Sequence, residues 1–123
     1  PTCTGKTHGA RQIAKHLYFR GGINWDRWGR MIASVAYVVL DDIDWMDESK
    51  YSHDMKKAMF SGQATFDKCS SDAFMRTLQH GRPVIIVMND HTDAERALLS
   101  AWQEDAWMAA NVVFCPIAAP LWA

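Results

Sequence analysis

Two apolar runs interrupt an otherwise mixed chain. Val35-Ala36-Tyr37-Val38-Val39-Leu40 ends abruptly in Asp41-Asp42-Ile43-Asp44, and Val84-Ile85-Ile86-Val87-Met88 ends at Asn89. Short β-rich runs without polar alternation fit strands buried on both faces, as in a parallel sheet. A third strand is expected at Asn111-Val112-Val113-Phe114-Cys115, stopped by Pro116. Helical spacing fills the intervals. Ala10, Ile13, Ala14 and Leu17 recur at three- and four-residue steps, which predicts a helix over Thr7 to Leu17, and Leu17-Tyr18-Phe19 could open a strand. Arg20 to Arg30 is rich in Gly and Trp and reads as loop. Asp47 to Phe60 has helical character and stops at Gly62. Ala64 to Phe66 and Phe74 to Leu78 read as two arms of a hairpin or as an irregular insert, and Gly81-Arg82-Pro83 breaks the chain. Thr92 or Asp93 can cap a last helix through Ala94, Ala97, Leu98, Ala101 and Trp102. Strands separated by helices predict an α/β domain with a mainly parallel sheet flanked by helices.

Composition narrows this only a little. The 123 residues fit one domain, spanning 1–123. With 49% hydrophobic and 22% charged residues, the chain reads as an ordinary globular protein. A formal net charge of -1 provides no basic excess of the kind that announces nucleic acid, although a ring-forming motor can hold DNA with a few lysines on one loop. Cys3, Cys69 and Cys115 have no metal-ligand spacing and are expected as free thiols. The apolar runs are far too short to span a bilayer, so no membrane association is expected. The chain opens on Pro1 directly into a motif, so it is expected to be a fragment.

That motif is Thr2-Cys3-Thr4-Gly5-Lys6-Thr7, the second half of the phosphate-binding pattern G-x-x-x-x-G-K-[ST]. Counting back from Gly5 puts the first glycine of the pattern one residue before Pro1. The chemistry requires these residue types. Backbone N–H groups of Thr2 to Thr7 and of the following helix surround phosphate oxygens, and Gly5 lets the backbone come close. Lys6 brings positive charge to the outer phosphates of ATP, and Thr7 offers a hydroxyl to Mg²⁺. Alone, a Gly-Lys-Thr tripeptide can equally be a surface turn.

The acidic strand end changes that balance. Ligands of open α/β sheets bind at the carboxyl ends of strands. Mg²⁺ needs a hard oxygen ligand, and Asp41 is assigned to it, through a water. Hydrolysis needs a group to orient and deprotonate water, and Asp42 is placed for that. Asp44 reads as a solvated or helix-capping carboxylate. Asn89, at the end of the other apolar run, has a side-chain amide suited to the γ-phosphate and the attacking water. A turn-forming Asn after a strand is the simpler alternative.

Taken in order, T-G-K-T, V-V-L-D-D-I-D, S-G-Q-A-T-F and R-P-V-I-I-V-M-N resemble a superfamily 3 helicase. The nearest likeness is to the replication initiator (Rep) proteins of circular single-stranded DNA viruses, of the geminivirus and genomovirus type. It covers nearly the whole chain, including H-L-Y-F and the closing A-P-L-W. The resemblance implies an AAA+-like P-loop NTPase, a hexameric ring that hydrolyses ATP with Mg²⁺ and translocates on single-stranded DNA. For a eukaryotic virus it implies work in the host nucleus. It makes Lys6 and Thr7 the Walker A pair, Asp41 and Asp42 the Walker B acids, and Asn89 the sensor residue. It makes the segment from about Gln63 to Arg76 a DNA-contacting loop, with Lys68 and Arg76 as candidates for phosphate contact. The segment departs from the family in carrying S-S-D-A-F where a Lys-aromatic pair is usual, and the place before the last expected strand where some relatives carry a cation reads W-M-A-A-N, with no Arg or Lys. Other P-loop enzymes, such as nucleotide kinases, and an inactive relic of a viral initiator stay open as alternatives. The five histidines share no ligand spacing, and the six tryptophans read as core or interface more readily than as base-stacking platforms.

Overall fold

The computed structural model describes residues 5–69 and 75–117. In chain order they form α1 (Lys6–Ala10), β1 (His16–Arg20), α2 (Trp25–Met31), a 3₁₀ turn (Ile32–Ser34), β2 (Tyr37–Asp41), α3 (His53–Phe60), β3 (Thr65–Cys69), β4 (Met75–Gln79), β5 (Val84–Val87), α4 (Asp93–Glu104) and α5 (Ala106–Asn111). The strands β1, β2 and β5 make a parallel sheet in the order β1-β2-β5, and β3 pairs antiparallel with β4. This is a mixed α/β structure with a small parallel sheet and helices. Among the described residues no helix is long and apolar enough to cross a membrane.

The central strand is the one the sequence marks most strongly. All five residues of β2 are buried, because Val38 and Leu40 face one side and Tyr37 and Val39 the other, and both sides are covered. The larger core lies on the first side, where Leu17 and Phe19 of β1 join Val38 and Leu40 against Trp28, Ile32, Met59 and Phe66. Each such side chain stabilises the fold by about 1.5–3 kcal/mol when fully buried. On the second side, Tyr37, Val39 and Val87 pack with Ala10, Tyr18 and Ile85.

Trp28 ties the sheet to the hairpin. It stacks on Phe19 at 6.2 Å, meets Phe66 edge-on at 5.6 Å, and donates its indole N–H to the Gln79 carbonyl at 2.8 Å. Beside it, buried His80 donates from Nε2 to the Met59 carbonyl at 2.8 Å, while its Nδ1 has no partner among the described residues. Burial pushes the His80 imidazole below its ordinary pKa, since charging it would require solvation that the site lacks.

The helix ends are capped as the residue types dictate. Asn24 accepts from the Arg27 N–H and Ser52 from the Met55 N–H. Thr92 and Glu95 form a reciprocal capping box at α4, the start the sequence predicts. Asp105 then breaks the helical run, accepting from the Met108 N–H to start α5, and that bond holds its carboxyl below the usual range.

Four expectations need correction. The helix from Thr7 ends at Ala10, with Arg11 as its cap. The apolar spacing beyond Ala10 is not a helical face: Ile13 is 69% exposed, and Leu17 is buried completely as a residue of β1. The Gly- and Trp-rich stretch read as loop contains α2, nucleated by the Asn24 cap and anchored by Trp28. The helix expected from Asp47 begins at His53, after turns built around Asp47. The strand expected at Asn111 to Cys115 is absent from the sheet. Asn111 closes α5, and the extended residues after it turn Val112 and Phe114 to the core and leave Val113 87% exposed. That segment has strand-like alternation but joins neither described sheet.

Candidate functional site

Gly5 precedes α1 with φ 80°, a left-handed conformation that glycine adopts without strain, and its carbonyl accepts from the Gly9 N–H at 2.8 Å. This turn puts Lys6 and Thr7 in the first turn of α1, which packs against β5. Three long-range bonds follow. The Lys6 ammonium donates to the Met88 carbonyl at 2.8 Å and to Asn89 Oδ1 at 3.1 Å. The Thr7 hydroxyl donates to Asp41 Oδ2 at 2.8 Å. Gly5, Lys6, Thr7, Asp41 and Asn89, scattered through the sequence, therefore converge at the carboxyl end of the parallel sheet.

The parallel register brings these groups together. Asp41 is the last residue of β2, level with Val87 at the end of β5, so the chain beyond β5 carries Met88 and Asn89 past it. Asp41 is only 8% exposed, and among the described residues it forms no ion pair. Its partners are hydroxyls. Tyr18 donates to the same oxygen as Thr7, at 2.6 Å. Burial, followed by this bond to the carboxylate, raises the Tyr18 pKa.

Asp42 lies just beyond, with φ 55°, and its N–H donates to the Val87 carbonyl at 3.3 Å. A left-handed aspartate costs about 1 kcal/mol or more and is found where the surroundings enforce it. Here the turn sends Asp42 outward while Asp41 stays in. Asp42 and Asn89 both line an open cleft of about 280 Å³ between the ends of β2 and β5 and the start of α4. Lys6 and Thr7 lie outside that lining. Asp44 is exposed and accepts from the Met46 N–H in a turn, as a solvated carboxylate would.

No three His, Cys, Asp or Glu side chains gather as a metal cage among the described residues. That donor set still fits Mg²⁺, which commonly takes one or two carboxylates and fills its shell with water and substrate phosphates. Asp41 and the Thr7 hydroxyl are hard oxygen donors that already touch.

Of the residues expected to form the phosphate loop, Thr2, Cys3 and Thr4 lie outside the described residues, as does the Ser70–Phe74 stretch. Lys68 and Arg76 sit opposite each other on β3 and β4 and share no described hydrogen bond with the cluster. Arg76 is 3.7 Å from Asp26, and the Lys68 ammonium lies 5.6 Å over the Trp25 ring. Those contacts to α2 offset the repulsion of like charges directly across a ladder. His8, which follows Thr7, is exposed and pairs with Gln12. Sequence reasoning missed Tyr18 and the Met88 carbonyl. The signal for Tyr18 was its place between two core residues on β1, which turns it to the other face of the sheet, the side of Asp41.

Comparison with protein-family models, with curated proteins and with solved structures finds no match to this chain.

Proposed function

We propose that this chain is the ATPase core of a DNA helicase, a P-loop NTPase of the superfamily 3 kind used by replication initiators of circular single-stranded DNA viruses. The observation that carries the reading is the convergence of Lys6 and Thr7 on Asn89 and Asp41 at one end of a parallel sheet. A buried carboxylate with hydroxyl partners and no described cation fits a site completed by a metal ion. A lysine that spends two of its three donors on β5's end keeps one for a phosphate oxygen.

In this reading Thr7 and Asp41 would hold Mg²⁺, which would supply positive charge to the phosphates. Lys6 neutralises the γ-phosphoryl group, and Asn89 orients it together with the attacking water. Asp42 takes the water's proton. The water oxygen bonds to the γ-phosphorus, and the bond from that phosphorus to the bridging oxygen breaks, its electron pair leaving with ADP. The β3–β4 hairpin, with Lys68 and Arg76 on it, is the segment assigned to single-stranded DNA, and the ring is a homo-oligomer, hexameric by resemblance.

The test is ATP hydrolysis with and without single-stranded DNA. It is run on the chain and on the chain with one glycine added before Pro1, which completes the phosphate-loop pattern. Turnover should rise with DNA and fall about a hundredfold or more in Asp42→Asn. Turnover indifferent to DNA would favour a different P-loop enzyme, and a folded protein without any turnover would sink the ATPase reading.

A further inference from the structure

Tyr18 has a position that neither the phosphate loop nor the acidic strand end explains. It lies between Leu17 and Phe19, both in the main core, so the pleat of β1 turns it to the opposite face, under α1. Its partner in the ladder is Val39, and Asp41 lies two residues farther along β2 on that same face. Residues two apart on a strand share a face, so a tyrosine is long enough to reach the carboxylate diagonally, and its hydroxyl meets Asp41 Oδ2 at 2.6 Å. The ring is held from above. The Arg11 guanidinium lies 4.0 Å over it, and Arg11 Nε is fixed by His16 at 3.2 Å.

We propose that Tyr18 is a positioning residue for the metal-binding carboxylate. The proposal rests on the nucleotide-site reading above. Asp41 Oδ2 receives two hydroxyls, from Thr7 and from Tyr18. The two differ in what they can do next. Thr7 is itself a metal ligand in that reading, so its hydroxyl must turn a lone pair to the cation. Tyr18 stays behind as the donor that keeps the carboxylate in its rotamer and its free oxygen toward the metal. Groups that orient a ligand in this way typically change metal affinity about 10- to 100-fold when removed.

The experiment is a Mg²⁺ titration of the binding of a fluorescent ATP analogue, comparing the wild-type chain with Tyr18→Phe, beside the affinity of each for the analogue without metal. Tyr18→Phe removes one oxygen and keeps the ring under Arg11. The Mg²⁺ midpoint should rise about tenfold, while metal-free affinity stays within about twofold. A merely structural role would weaken both together. An unchanged midpoint in a folded variant overturns the proposal and leaves the nucleotide site standing. Absence of any nucleotide binding by the wild type overturns both. If Tyr18→Phe does not fold, the wild type still decides. The ¹³C-labelled Tyr18 ring resonance should shift with Mg²⁺ plus nucleotide and not with nucleotide alone, and a resonance that ignores the metal overturns the proposal.

Discussion

The carboxyl end of the parallel sheet and the β3–β4 hairpin both carry charged residues, and they treat them differently. At the sheet end, a lysine and a carboxylate are bound by side chains and carbonyls far away in sequence, and the carboxylate is buried. On the hairpin, two cations stand opposite one another at the surface, each leaning on the neighbouring helix α2. Buried groups bonded across the fold can hold a ligand geometry to a fraction of an ångström. Exposed ones contribute little to stability and mainly set the local potential. A site for chemistry is expected in the first region and, at most, an electrostatic contact in the second.

The largest effect that separates the regions is expected from Lys6→Ala. Removing that ammonium should weaken ATP binding about a hundredfold or more and leave the thermal melt nearly unchanged, as read by titration and circular dichroism. Equal losses in both would mean that Lys6 is structural.

A middling effect is expected at the root of the hairpin. The folded-state pKa of His80 lies below the ordinary imidazole value of about 6.5. Its contribution to stability is therefore complete above that value, and it is lost as pH falls below it toward the lowered folded pKa. Melting temperature should drop on acidification below about 6.5, and His80→Phe should flatten that part of the profile. An unaltered profile in the variant would remove His80 from the account.

The smallest effect is expected from Lys68→Ala with Arg76→Ala. Stability should change by less than about 1 kcal/mol, since the Arg76–Asp26 pair is exposed. If both contact phosphates, the slope of log affinity for single-stranded DNA against log salt should flatten by about 1.4. ATP affinity without DNA should not move. A loss of ATP affinity would break the separation between the two regions.

What could be read from the sequence follows from how local each signal is. The strand β2 and its acids, β5 with Asn89 and the cap at Thr92 or Asp93 are written in consecutive residues, whereas the hairpin was legible only as one of two alternatives. The helix α2 was masked by glycines and tryptophans, although Asn24 ahead of Asp26 carries an N-terminal signature. Spacing could not separate α1 from β1, since Leu17 satisfies a helical step and a strand face equally. The segment after Asn111 shows the opposite failure. Its alternation is real, yet a strand needs a partner that the segment itself does not encode. Within the site, residue types were legible and their pairings were not. That Lys6 meets Asn89, and that Tyr18 joins Thr7 on Asp41, depends on the register of three strands.

The most direct test of the central claim is equilibrium binding of a fluorescent ATP analogue to the chain, with and without the added glycine, in the presence and absence of Mg²⁺. Saturable binding that Mg²⁺ strengthens is the expected result. A folded protein that binds the analogue in neither form, with or without the metal, would contradict it.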